Sequence, residues 1–93
     1  MAIWVDTPIW SFRGVKHAHM VSDTSYAELH LFAQKLGFPL RAFQGDHYDI
    51  PDYLIAVAVE LGATQVNPRE LLRRLKGASL RRAPRQRNLD QPQ

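Results

Sequence analysis

The stretch FQGDHYDIP sets Asp46, His47, Tyr48 and Asp49 in an unbroken polar row, and a second stretch, HAH, spaces His17 and His19 two residues apart. Side chains alternate across an extended chain, so His17 and His19 share one face wherever that segment is extended, and His47 and Asp49 do likewise. Imidazole nitrogen suits zinc, nickel or iron, and carboxylate oxygen suits magnesium or manganese. His19, His47, Asp49 and Asp6 are therefore the candidate ligands of a divalent metal ion, whose identity the sequence leaves open. His47, Asp49 and Asp6 are also the candidate catalytic residues.

A second group of residues suits an anionic substrate. Arg69 stands just inside a helix start, where backbone N–H groups favour anions and a guanidinium grips phosphate or carboxylate through two bonds. Tyr48, Trp10, Arg41 and Asp23 complete the candidate substrate-binding set. A metal beside an anion pocket is the arrangement that phosphoryl-transfer and hydrolytic sites use. Each residue has a plainer role to weigh against this one. Asp6 suits a cap for the turn at Pro8, and Asp49 suits a cap for the following helix. Trp10 and Tyr48 suit packing anchors, His17 an exposed loop, and His30 the flank of an apolar helix stripe.

Alternating strands and helices must bring these residues together. AIWV, from Ala2, reads as a buried strand that stops at Asp6-Thr7-Pro8. The next stretch, through WSFRGVKHAHMV, has no sustained helical period and reads as a long ordered loop with room for a short hairpin. SDTSYAELHLFAQKLG is a helix: Ser25 and Glu28 form a capping box, Leu29, Phe32, Ala33 and Leu36 make the stripe, and Gly37 closes it. LRAF, Leu40 to Phe43, reads as a second strand, DYLIAVAVELGA as a second helix after Pro51, and TQV as a third strand. NPRELLRRL opens a third helix capped by Asn67.

This order predicts an α/β layer fold, βαβαβα, with a short, mainly parallel three-stranded sheet. In such a sheet the strand C-termini and helix N-termini share one edge, where open α/β folds place their ligands. The rule gathers Asp6, His17, His19, Asp23, Asp46 to Asp49, Asn67 and Arg69 at that edge.

The chain has 93 residues, 45 % of them apolar, which allows one domain with a modest core. It contains no cysteine, so disulfides and thiolate metal sites are excluded. The longest apolar run, LIAVAV, is far below the ~18 residues of a membrane span, and MAIWVD lacks the form of a secretion signal. These features give the expectation of a cytoplasmic protein with no membrane partner; a chain this small also suits a homodimer. Residues 1–68 carry four Lys/Arg against seven Asp/Glu, whereas residues 69–93 carry eight against two. An acidic body with a basic end implies two electrostatic tasks. The expected division is a domain over 1–76 and a flexible basic tail over 77–93.

Asp6, Trp10, His19, VSDTS at 21 to 25, ELH at 28 to 30, LG at 36 and 37, Arg41 with Phe43, GDHYD with Pro51, and REL at 69 to 71 form a further pattern. In this order they resemble a family of small bacterial and phage proteins, domain of unknown function family 4031. The resemblance covers roughly residues 3 to 76, and HYD is its most distinctive motif. It implies weight on His19, His30, His47 and Asp49, while His17 and the basic end lie outside it. The family has no established activity, so the resemblance implies none.

The functional expectation is a metal-assisted hydrolase or nuclease-like enzyme acting on a phosphate-containing small molecule or nucleic acid. One alternative is a non-catalytic module that binds a nucleotide or nucleic acid through the basic end. The other is an interaction domain whose polar cluster is a structural hydrogen-bond network.

Overall fold

The computed structural model describes residues 2–81. Five strands and three helices follow in the order β1 (Ile3–Val5), β2 (Trp10–Phe12), β3 (Val15–Ser22), α1 (Tyr26–Lys35), β4 (Tyr48–Pro51), α2 (Ile55–Glu60), β5 (Thr64–Gln65) and α3 (Pro68–Gly77). Short 3-10 turns occupy Leu40–Ala42 and Asp52–Leu54.

The α/β class holds, but the sheet is mixed and five-stranded, not mainly parallel and three-stranded. β3 is its centre and pairs antiparallel with β1, β2 and β4; only β1 and β5 run parallel. His17 pairs with both Trp10 and Pro51, and Met20 with both Val5 and Tyr48. β1 and β2 therefore follow one another along one edge of β3, and β4 lies along the other. The stretch read as a long loop is the β2–β3 hairpin. Its two-residue turn has Arg13 at φ 55° and Gly14 at φ 81°, the pair of positive values that matches the twist of the flanking strands.

Two other expectations about elements are corrected. Leu40 to Phe43 is no strand: Leu40–Ala42 is a 3-10 turn behind Pro39, and Leu40 is exposed. The second half of the expected strand–loop unit is itself the strand, because β4 begins at Tyr48 inside the polar row. The first and third helices stand as expected. Ser25 Oγ accepts the Glu28 N–H at 3.0 Å, although the Glu28 carboxylate takes the Ser22 hydroxyl instead of closing the box. Asn67 Oδ1 accepts the Glu70 N–H at 2.8 Å, with Pro68 in the first turn.

Strand alternation sorts the side chains into two layers. Ile3, Val5, Ala18, Met20, Tyr48 and Ile50 pack on one face against Leu29, Phe32 and Ala33 of α1 and Ile55 and Ala58 of α2. Val21 and Trp4 face the other way and meet Leu71 and Leu75 of α3. Each of the buried Val, Leu, Ile, Met and Phe side chains among these stabilises the fold by about 1.5–3 kcal/mol relative to exposure. His19, two residues before Val21, and Asp49, between Tyr48 and Ile50, are placed by the same alternation on the α3 face.

The folded body continues past Lys76. Ser79 N–H donates to Lys76 O at 2.9 Å and Leu80 N–H to Leu75 O at 3.2 Å, with Ser79 at φ 61°. This is the paired-bond closure of a helix C-terminus, with Leu80 folded back onto the Val21–Leu71–Leu75 cluster. The Tyr26 hydroxyl donates to Leu80 O and ties the same turn to α1. Residues 82–93, most of the expected flexible tail, lie outside the described residues.

Candidate functional site

Asp6 ends β1 by substitution of its side chain for its backbone. Its N–H still donates to His19 O at 3.1 Å, but the next ladder bond, from His19 N–H, goes to Asp6 Oδ1 at 2.7 Å. The chain is thereby free to turn away at Thr7-Pro8 while the carboxylate stays in the sheet. Asp6 Oδ2 then meets His19 Nδ1 at 2.9 Å. The carboxylate is buried, so it fixes the imidazole's orientation and leaves Nε2 to point elsewhere.

His47 is held in the same manner from the other side of β3. Gly45, at φ 94°, allows a tight loop that Gln44 N–H closes onto His47 O at 2.8 Å. This loop buries Asp46, whose Oδ1 meets His47 Nδ1 at 2.6 Å. His47 Nε2 lies 3.2 Å from Asp49 Oδ1. Asp49 is the direct cross-strand partner of His19. The rings of His19 and His47 meet edge to face, 5.1 Å between centroids.

His19, His47 and Asp49 thus each offer one ligand atom, all within 4.8 Å of one another. Ligands about 2.1 Å from one ion stand roughly 3–3.5 Å apart, so an ion must draw a separation of 4.8 Å in by about 1.5 Å. Burial works against a charge on His47, but its hydrogen bonds with Asp46 and Asp49, and their negative charge, outweigh it and raise the pKa from 6.5 to about 9. Without a metal, the His47 imidazolium bridges two carboxylates.

A cavity of about 250 Å³ adjoins the cluster. His19, Asp46 and His47 line it on the sheet side, Leu71 and Leu75 on the α3 side, and Arg81 at the end of the helix-closing turn. Arg81 Nη1 lies 3.3 Å from Asp46 Oδ2.

The other sequence candidates lie elsewhere. Asp6 stands behind His19 and is not in the three-residue cluster. Tyr48 points into the core, fully buried among Phe38 and Phe43, with its hydroxyl 2.8 Å from His30 Nδ1. Asp23 accepts from Ala2 N–H and from the Trp4 indole, each at 3.0 Å, and so fastens the start of β1. Arg41 and Arg69 are exposed and form no ion pair among the described residues. Trp10 stacks on His17 at 4.8 Å and lies 6.3 Å from His19, and its Nε1 is buried with no hydrogen-bond partner among the described residues. His17 shares the strand face with His19 but not the cluster.

Two members of the site were assigned no role from the sequence. Asp46 is in the polar row, yet its pairing with His47 depends on the Gly45 loop. Arg81 lies in the basic end, and no sequence signal separates it from its neighbours. Among the described residues no helix is long and apolar enough to cross a membrane.

No curated protein and no solved structure matches the chain. A family model described as "Protein of unknown function (DUF4031)" matches residues 3–78, and the chain belongs to that family.

Proposed function

We propose that the protein is a metal-dependent hydrolase of phosphate esters, with His19, His47 and Asp49 as ligands of one divalent ion. A single observation carries this reading. Two imidazoles are each held at Nδ1 by a buried carboxylate, as the imidazole ligands of metalloenzymes are, and both rings sit beside a third carboxylate. Two histidines and one carboxylate suit zinc, iron or manganese and leave coordination positions open.

The ion would supply a Lewis acid and a water of lowered pKa. The chain's own residues do the rest. Asp6 and Asp46 hold the imidazoles in the tautomer that presents Nε2, and the leucines of α3 exclude solvent from one side of the cavity. In the reaction, water oxygen bonds to phosphorus, the phosphorus–oxygen bond to the leaving alcohol breaks, and one water proton goes to that oxygen.

A second reading is favoured by the bridge that His47 makes between Asp46 and Asp49, which satisfies these groups with no ion: a structural network joining β4 to its loop. Calorimetric titration of chelator-treated protein with manganese and zinc separates the two. One ion per chain, lost in His47→Ala and accompanied by metal-dependent cleavage of a phosphodiester, is the expected result. Absence of uptake in a folded wild-type chain would leave the structural network as the better account.

A further inference from the structure

The hydrolase reading leaves open what the phosphate ester carries, and the β2–β3 hairpin that runs up to His19 bears on that question. We infer that this hairpin is a stacking platform for the unpaired bases of a single-stranded nucleic acid. Phe12 is the ring that receives a base and Arg13 the contact to a backbone phosphate, while another phosphate of the same strand reaches the ion. The inference rests on the metal-site reading above and names its substrate.

A continuous row of rings carries it. Trp10 pairs with His17 and Phe12 with Val15, so Trp10 and Phe12 alternate onto the sheet face that bears His17 and His19. From the hairpin tip inward, ring centroids are 6.2 Å apart for Phe12 and His17, 4.8 Å for His17 and Trp10, 6.3 Å for Trp10 and His19, and 5.1 Å for His19 and His47. Trp10 and His17 are half-buried inside the row, whereas Phe12 ends it 55 % exposed. Every nucleobase has a π-face, so an exposed ring takes a base whatever the sequence.

Charge selects the partner. Residues 1–68 carry seven Asp/Glu against four Lys/Arg, yet two of those four, Arg13 and Lys16, stand in the hairpin, and residues 7–22 contain no acidic residue. The Arg13 guanidinium lies 5.2 Å from the centroid of the Phe12 ring, so cation and ring are presented together, as on surfaces that bind single strands. Continuity of the row with a cluster that hydrolyses phosphate esters favours a phosphate-bearing partner over a protein.

Distance separates a strand from a free nucleotide. Phe12 pairs with Val15, four residues before His19, which sets its ring about 13 Å along the strand from the cluster. The base of a nucleotide whose own phosphate sits at the ion does not reach that far, whereas the bases of neighbouring nucleotides in a strand do. A duplex keeps its bases stacked on one another and offers none to the ring, so the strand must be single.

The test uses the full chain loaded with manganese and a fluorescein-labelled 12-nucleotide DNA single strand, read by anisotropy, with manganese uptake measured on the same samples. An abasic strand of the same length carries the same phosphates without bases, and it should bind about tenfold more weakly or worse. Phe12→Ala should weaken binding of the normal strand about 5- to 150-fold, and Phe12→Trp should retain it. Arg13→Asn, which removes the charge but suits the positive φ of this position, should lower the slope of log affinity against log salt by about 0.7. A wild-type chain that takes up manganese but holds no strand, or holds the abasic strand or a duplex as tightly as the normal one, overturns the inference and spares the metal site. Binding that neither Phe12→Ala nor Arg13→Asn alters does the same. Failure to take up manganese overturns the metal site and this inference with it. The abasic comparison is made on the wild-type chain, so it decides even where a variant fails to fold.

Discussion

His19 and His47 face each other across β3 and β4 at 5.1 Å, and each is gripped from behind, at Nδ1, by its own buried carboxylate. Asp6 and Asp46 reach these positions from loops that are forty residues apart in sequence. The two dyads set a pair of imidazoles in contact with one another beside Asp49, and most of what can be tested about the protein follows from that pairing.

Proton and metal compete for His47. Its pKa of about 9 without metal means that an ion must displace a proton from Nε2. Metal affinity should therefore rise about tenfold per pH unit between pH 6.5 and 8.5, with close to one proton released per ion bound. Titrations in buffers of different ionisation enthalpy measure both quantities. A pH-independent affinity would place the ion away from His47.

The same bridge affects the stability of the metal-free protein. The pKa of His47 is raised on folding, so the stabilisation is fully present below the unfolded value of 6.5 and is lost as pH rises through about 9. A shift of that size corresponds to about 3 kcal/mol, an upper figure for a side chain that retains some contact with solvent. Denaturant titrations of chelated protein from pH 6 to 10 should show the loss, and His47→Gln should flatten it.

Asp6 has two tasks that substitution can separate. Asp6→Ala leaves the buried His19 N–H without its acceptor and should cost about 2–4 kcal/mol, or more than ten degrees in Tm for a domain of this size. Asp6→Asn keeps an acceptor for that N–H but loses the charge behind the ring. It should destabilise less and still lower metal affinity 10- to 100-fold. Thermal melts and metal titrations of both variants check this.

Tyr48, despite its place between His47 and Asp49, should be irrelevant to metal uptake. Its hydroxyl meets His30 on the opposite face of the sheet. Tyr48→Phe should cost about 1 kcal/mol of stability and leave metal affinity unchanged. A loss of affinity beyond threefold would show that the sheet transmits changes between its faces.

Local chemistry was legible in the sequence. Ser25 and Asn67 mark helix starts because side-chain oxygens satisfy orphan N–H groups. His47 and Asp49 share a face because extended chains alternate, and Ile3–Val5 stops where Thr7-Pro8 ends the ladder. The β3 strand was harder to read, since its α3 face carries His17 and His19 where a strand of the core would carry apolar residues. Leu40 to Phe43 has the composition of a strand, and a four-residue run does not distinguish strand from 3-10 turn.

The sequence by itself therefore determined the donor types, their alternation and the positions of two helix caps, all of which depend on a few adjacent residues. Only the tertiary structure decided that β3 is central and antiparallel to its three neighbours, because strand pairing depends on contacts between distant segments. It also decided which carboxylate stands behind which histidine, and that Arg81, one of several arginines in a basic run, lines the cavity. Those choices follow from register, from the Gly45 loop and from the closure of α3, each a long-range packing outcome with no local sequence signal.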